Sequence, residues 1–497
     1  MVNLKWDGKI ERTEVFSKGE KTLNFRILDN YPNFDSGFSG LYPNDWKNLL
    51  FCGENKALMN FLLENYENKI SMIYIDPPFA TGGEFKLKIQ IGELGKKIED
   101  LAYVDKWKDG LHSYFNFIYE RLIIMKKLLN NKGSIYVHLD WHISHYIKLL
   151  MDEIFGYENF RNEIIWAYPA ASVKTRRFFI RSYDTILFYS KSDNYTFNDN
   201  PQIYMDYSNR VKKALKRDDK GIFYYRGGSH NGKKLSRKVY VEQEGIFPRD
   251  VWNDIPYIRA NTSEYQGFST QKPERLLKRI ILASTNENDL IADFFCGSGT
   301  TLAVADKLGR RWIGCDLNKQ VIHMTRKRLL NISKSNNILD WSKLYDRKPH
   351  PFQIIQLGNV DKSEMIDSKF LIENVENNRI TDKINHPKFE VIIHQNDHEL
   401  QVQIIDYKLP FMHLISENVR EKIDSFTDWI DYWGIDYYYD GQVFNNMWTS
   451  FRTPKKREIA LKSIPFLYEK KGRFNLSVKS IDIFGIETIK SFDVEII

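Results

Sequence analysis

The chain has 497 residues, 42% hydrophobic and 28% charged, ordinary proportions for a globular protein, and its length sets a soft prior of about three domains at roughly 150 residues each. No stretch is long and apolar enough to span a bilayer and Met1 to Gly8 hold no apolar signal core, so a cytoplasmic protein without membrane contact is expected. Three scattered cysteines, Cys52, Cys296 and Cys315, exclude a disulfide framework and a zinc site, and a net charge of +7 is compatible with a polyanionic partner without requiring one.

Residues 1–43 read as a polar, irregular extension. From about Trp46, strands and helices alternate. Leu49 to Cys52 predicts a buried strand, Lys56 to Tyr66 a helix, and Ser71 to Ile75 a second strand that runs into Asp76-Pro77-Pro78-Phe79. The Gly- and Lys-rich stretch Ala80 to Asp100 predicts a mobile loop that closes over a bound substrate. Leu111 to Leu129 has helical spacing, Gly133 to Leu139 predicts a strand, and Trp141 to Phe155 a helix. Strands over Glu163 to Tyr168 and Asp184 to Tyr189 complete a first half, 44–190. A polar, basic segment broken by Gly and Asn fills 191–267.

Alternation resumes over 268–335, with a proline-opened helix (Pro273 to Ala283), a strand (Asp289 to Phe295), a glycine turn into another helix, and a strand (Arg311 to Cys315) ending at Asp316. Residues 336–497 read as a separate β-rich domain with strands over Phe389 to Ile393, Gln401 to Ile405, Arg473 to Val478 and Thr488 to Val494. Its last hairpin resembles those of polycystic-kidney-type and other immunoglobulin-like sandwiches. Repeated β-α units predict an α/β, doubly wound, mostly parallel sheet with ligands at the strands' carboxyl ends.

Three motifs fall at such ends. In Asp76-Pro77-Pro78-Phe79, the carboxylate and the Pro77 carbonyl can each accept from one N–H of an exocyclic base amine. That pulls the nitrogen toward tetrahedral geometry and localises its lone pair. The prolines stiffen the turn, and Phe79 can stack on a base taken out of the helix. Alone, the motif is equally a proline-rich turn. In Asp293-Phe294-Phe295-Cys296-Gly297-Ser298-Gly299-Thr300-Thr301, glycines let a ligand approach the backbone and leave helix N–H groups free. The absence of a lysine before the Ser/Thr disfavours a phosphate cradle and suits the zwitterionic tail of S-adenosylmethionine. Asp316 can accept from ribose hydroxyls, cap the next helix, or both.

Together the motifs, in this order and with a basic region between them, resemble the beta-class amino-methyltransferases of DNA, and are especially similar to the modification subunits of type III restriction systems. Gly53-Glu54-Asn55, Gly133 to Asp140, Phe160 to Trp166, Asp250 to Pro256 and Thr270-Gln271-Lys272-Pro273 carry the likeness further, over roughly 44–330. The resemblance implies a seven-stranded S-adenosylmethionine-dependent methyltransferase sheet. Asp76, Pro77, Pro78 and Phe79 would form the catalytic turn. Asp293, Phe295, Gly297, Gly299, Thr300 and Asp316 would line the cofactor, with Glu54 near its adenine and Thr270, Lys272 and Pro273 near its methionine tail. Glu54 stands where the group has aspartate, and Tyr183-Asp184 where it has His-Asp.

An aspartate opening the turn is typical of adenine-N6 enzymes and serine of cytosine-N4 enzymes, so site-specific adenine-N6 methylation of double-stranded DNA is expected. Cytosine-N4 methylation and a non-catalytic DNA-binding specificity subunit stay open as alternatives. Carbon-5 methylation needs an attacking thiolate and is disfavoured. The basic segment, with Arg210, Lys212, Lys213, Arg226, Lys233, Lys234, Arg237 and Lys238, sits where the family keeps its target-recognition region. The family also implies a homodimer and a helicase-nuclease restriction subunit as partners.

Overall fold

Short apolar runs that admit no polar face form the centre of the molecule. The computed structural model describes residues 4–17, 25–32, 46–108, 110–169, 177–230, 233–241, 245–357 and 387–497. After a short α1 (Glu14–Ser17) come β1 (Phe25–Tyr31), β2 (Asn48–Cys52), α2 (Asn55–Tyr66) and β3 (Ile70–Ile75). Next are β4 (Glu84–Ile91), β5 (Lys96–Val104), α3 (Leu111–Leu128), β6 (Leu129–Leu139), α4 (Ser144–Phe155), β7 (Phe160–Ala167) and β8 (Tyr183–Ser190). The basic segment holds α5 (Asn209–Ala214), β9 (Lys216–Asp218), β10 (Gly221–His230), β11 (Lys233–Tyr240) and β12 (Val251–Trp252). The second half contributes α6 (Glu274–Ser284), β13 (Leu290–Asp293), α7 (Thr300–Lys307), β14 (Arg311–Asp316), α8 (Lys319–Leu330) and β15 (Phe352–Leu357). Eight further strands follow: β16 (Lys388–Asn396), β17 (Glu399–Lys408), β18 (Ile430–Asp436), β19 (Phe444–Asn445), β20 (Trp448–Phe451), β21 (Phe466–Leu467), β22 (Gly472–Asp482) and β23 (Glu487–Ile496).

The main sheet runs β12-β7-β8-β6-β3-β13-β14-β2-β15-β1-β19. From β6 to β2 it is parallel, and β8 is antiparallel to both β6 and β7. Ile73, Ile75, Ile135, Val137, Ile291 and Ile313 are fully buried because helices cover both faces. One face packs on α2, α3 and α4 and the other on α6 and α7, each with its own core. The chain reverses its direction of travel between β3 and β13, which pair through Met72 and Ile291. That switch point opens a crevice at the carboxyl ends of the strands.

The seven expected strands are present as β7-β8-β6-β3-β13-β14-β2, and four segments expected outside the core extend the sheet to eleven: β12 pairs with β7, β15 with β2, β1 with β15, and β19 with β1. The stretch read as a mobile loop is instead the β4–β5 hairpin. Its alternating Leu87, Ile89, Ile91 and Ile98 are buried in a third core with Trp429, Ile430 and Val402. The remaining C-terminal strands form a three-stranded sheet, β16-β17-β21, and a four-stranded sheet, β20-β18-β22-β23.

Candidate active site

Four strand ends meet on one rim. β2 delivers Gly53-Glu54-Asn55, β3 the Asp76-Pro77-Pro78-Phe79 turn, β13 the glycine turn, and β14 Asp316. Between them lies a cavity of about 300 Å³. Of the residues singled out in the sequence, Glu54, Asp76, Pro78 and Asp316 line it. So do Thr270, Lys272, Asp293, Phe295, Gly297 and Thr300. Pro77, Phe79, Gly299 and Pro273 are not on its wall.

Asp76 is held at one oxygen only. Lys272 Nζ donates to Oδ2 at 2.8 Å, while Oδ1 is buried with no hydrogen-bond partner among the described residues. Lys272, expected beside the cofactor's methionine tail, thus spans from the second half of the sheet to the catalytic turn. Phe79 is half-buried beside the cavity. Its ring stacks on His138 at 6.4 Å, and Lys272 Nζ lies 5.4 Å from its centre. His138 is itself fixed, with Nδ1 2.9 Å from the Tyr74 hydroxyl and Nε2 3.0 Å from Asp184. The Tyr183-Asp184 departure therefore keeps its carboxylate in use.

The turn's exit is fixed by a residue that sequence reasoning missed. The buried Asp105 carboxylate accepts from Ala80 N (3.0 Å), Thr81 N (2.7 Å), Thr81 Oγ1 (2.9 Å) and Trp107 Nε1 (2.9 Å). Ala80 has a positive φ of 55°, a conformation a side chain adopts only when its surroundings impose it. No local signal marks Asp105, whose partners lie 24 or 25 residues back as well as two ahead.

The glycine turn is held by carboxylates and by α8. Asp293 Oδ1 accepts from Phe295 N at 3.0 Å and Oδ2 from Thr301 Oγ1 at 2.5 Å, so this residue shapes the turn while lining the cavity. Asp316 accepts from Gly297 N and Asn318 N at 3.1 and 3.0 Å. Burial pushes the Asp293 carboxyl up to about 7 and that of Asp316 up to about 6. Gly297 has φ +50°, and a Cβ there would lie 3.3 Å from the Phe268 ring. Thr325 Oγ1 donates to Gly297 O at 2.7 Å, and Arg328 Nη1 donates to Ser298 O and Thr300 Oγ1 at 3.1 and 2.8 Å.

Glu54 caps α2 by accepting from Ala57 N at 2.8 Å, and its other oxygen meets the Arg121 guanidinium. Arg121 also donates to Asn55 Oδ1 at 2.6 Å. Its trace in the sequence is a charge on the apolar stripe of α3 between Ile118 and Leu122. Tyr103, at the end of the hairpin, is hydrogen-bonded to the Thr270 side chain and lines the cavity.

Cys296 also lines the cavity, but burial beside Asp316 and Asp293 pushes its thiol well above the usual range. A thiolate nucleophile is therefore disfavoured.

In the basic segment, Arg210, Lys212 and Lys213 lie on α5. Lys212 is paired with Asp206 at 2.8 Å, and Lys238 with Asp218. Arg226 and Arg237 stand directly opposite each other across β10 and β11, both exposed. Lys233 and Lys234 occupy β11 opposite His230 and Ser229.

The carboxylate–proline turn and the glycine turn thus face each other across the switch point of a doubly wound sheet, where such folds bind their ligands. The sequence profile of the DNA methylase family matches residues 70–327, and the chain belongs to that family. Its cofactor is S-adenosylmethionine. The residues present fit that group, since Glu54 and Asp316 offer carboxylate acceptors for hydroxyls and amines and the glycine turn leaves room at its backbone.

The chain is 29% identical over 358 residues to the type II methyltransferase M.EcaI of Enterobacter cloacae, covering 63% of this chain and 75% of the relative. It is 30% identical over 280 residues to the DNA adenine methyltransferase YhdJ of Escherichia coli, covering 56% and 82%. It is 22% identical over 495 residues to the "Probable type III restriction-modification enzyme HindVI Mod subunit" of Haemophilus influenzae, covering 74% and 64%.

Proposed function

We propose that the protein methylates the N6 amine of adenine in duplex DNA, on a base turned out of the helix into the cavity. The carrying observation is the asymmetric state of Asp76, one oxygen fixed by Lys272 and the other buried and unpartnered. A buried carboxylate oxygen without a donor is costly unless a substrate supplies one. Bound S-adenosylmethionine would supply a methyl group on its sulfonium, the S–CH3 bond breaking to release the neutral thioether as the methyl passes to nitrogen. Asp76 Oδ1 accepts one N–H of the amine and the Pro77 carbonyl the other, which frees the lone pair to attack the methyl carbon. Asp76 then faces the positive charge that develops on nitrogen and takes its proton.

Adenine is favoured by the aspartate that opens the turn and by the likeness to a relative named as an adenine methyltransferase. Contact with DNA is supported by the Arg226–Arg237 pair, because like charges directly opposite in a sheet destabilise it unless an anion bridges them. The likeness to a relative named as a type III Mod subunit supports a restriction subunit as partner; a second copy of the chain and a cytoplasmic setting belong to the same reading.

The test is incubation with labelled S-adenosylmethionine and mixed-sequence unmethylated DNA, followed by digestion to nucleosides. Labelled N6-methyladenine is expected, and N4-methylcytosine would overturn the base. Asp76→Ala should keep cofactor affinity and lose transfer by about 10³-fold or more. Undiminished transfer by that variant would overturn the site.

A further inference from the structure

We infer that a column of planar side chains beside the catalytic turn enters the duplex and stacks in the space that the target base leaves. This rests on the reading above, that the base is turned out of the helix. β6 ends at Leu139 on the active-site rim, followed by Asp140, Trp141 and His142. β8, antiparallel to β6 with Leu139 opposite Thr185, starts on the same rim, so the segment 177–182 that leads into it lies there too.

From these two segments a stack is built. His142 lies on Trp141 with ring centres 3.8 Å apart, Arg181 lies 3.7 Å from the centre of Trp141, and the same guanidinium lies 5.2 Å from that of Phe178. Asp140 holds His142 Nδ1 at 2.5 Å.

The column is turned to solvent. Trp141 is 40% exposed, Phe178 58% and the adjoining Phe179 97%, and Ile180 is exposed as well. Phe178, Phe179 and Ile180, each exposed between Arg177 and Arg181, mark an interaction surface. Two features choose duplex DNA as the occupant. The flanking guanidiniums match phosphate, and the column rises from the same two strands, β6 and β8, that carry residues packed on the site. His138, three residues before Trp141, stacks on Phe79 of the catalytic turn and is bonded to Asp184, three residues after Arg181. A base leaving a duplex abandons its stacking neighbours, and aromatic faces replace that loss without regard to sequence.

The test uses a duplex carrying the mapped methylation site, either fully paired or with the target adenine opposite an abasic position. Phe179→Ala with Trp141→Ala should lower kcat/KM on the paired duplex by about 10- to 100-fold, yet stay within about 3-fold of the parent where the target is already unpaired. Trp141→Phe, which keeps a stacking face, should recover most of the loss. 2-Aminopurine at the target should brighten on binding the parent protein and not the double variant, with cofactor affinity equal in both.

Unchanged activity on the paired duplex would overturn the inference, as would equal losses on both duplexes. A parent dimer that the substitutions split into monomers in sedimentation would overturn it too, by making this patch a self-interface. If the parent methylates neither duplex, it is the reading of the site that falls, and the inference with it.

Discussion

Lys272 is where the chemistry of single residues is most sharply testable. Its ammonium is mostly buried, and its bond to Asp76 Oδ2 fixes the carboxylate at the cavity wall, with Oδ1 buried and without a hydrogen-bond partner among the described residues. Lys272→Met should keep the cavity's shape and release the carboxylate. A misplaced reacting group of this kind costs about 10²-fold, so kcat should fall by one to two orders of magnitude with little change in cofactor affinity. The opposite split, weakened cofactor binding at unchanged kcat, would return Lys272 to the methionine tail.

Asp316 gives a pH dependence whose sign follows from its environment. Its folded carboxyl titrates at about 6, above the ordinary 3.8, because burial disfavours the charge. The neutral form is thus favoured by folding. That contribution is complete below 3.8 and is lost as pH rises through about 6. Thermal denaturation of the cofactor-free protein should show stability declining over this window, less so in Asp316→Asn. On the reading in which Asp316 accepts from the ribose hydroxyls, cofactor affinity should move the other way, rising through about pH 6 as the carboxylate ionises.

At the level of elements, strands whose apolar character is local were legible in the sequence: β2, β3, β6, β13 and β14 end at the motif-bearing rim and β8 falls on its own apolar run. What was not legible is what covers a face from a distance. The β4 sequence alternates as a strand should, with Leu87, Ile89 and Ile91 on one side. The cover for that side is Trp429 and its neighbours, more than 300 residues on, and without it the stretch reads as a polar loop. Each of its four buried side chains contributes about 1.5–3 kcal/mol, so the hairpin does not open as a lid. Amide exchange over 84–104 should be slow in the DNA-free protein. Fast exchange there that slows only when DNA is added would restore the loop reading.

At the scale of the molecule, the C-terminal strands are tied into the catalytic body by buried charge. Asp29 on β1 accepts from Lys479 Nζ on β22 at 2.6 Å, Asn446 Nδ2 at 2.9 Å and Arg326 Nη2 on α8 at 2.8 Å. Asp431 on β18 receives His323 Nε2 at 2.9 Å and the Lys327 ammonium, both from α8. The other side of α8 carries Thr325 and Arg328, which hold the glycine turn. One helix thus bears the glycine turn on one face and the C-terminal sheets on the other. A chain ending after Leu339 would lose β15 from the edge of β2, take Asp431 from Lys327 and Lys479 and Asn446 from Asp29, and strip the cover from the hairpin's apolar face. Uncovering the hairpin's four buried side chains alone costs about 1.5–3 kcal/mol each, comparable to a domain's whole stability. The truncated chain should therefore fail to bind S-adenosylmethionine in calorimetry. In the full chain, Asp431→Asn should weaken cofactor affinity although it lies outside the cavity, because it loosens α8. A truncated chain that methylates DNA as well as the full one would reduce the C-terminal sheets to an accessory and sever the path from Asp431 to the glycine turn.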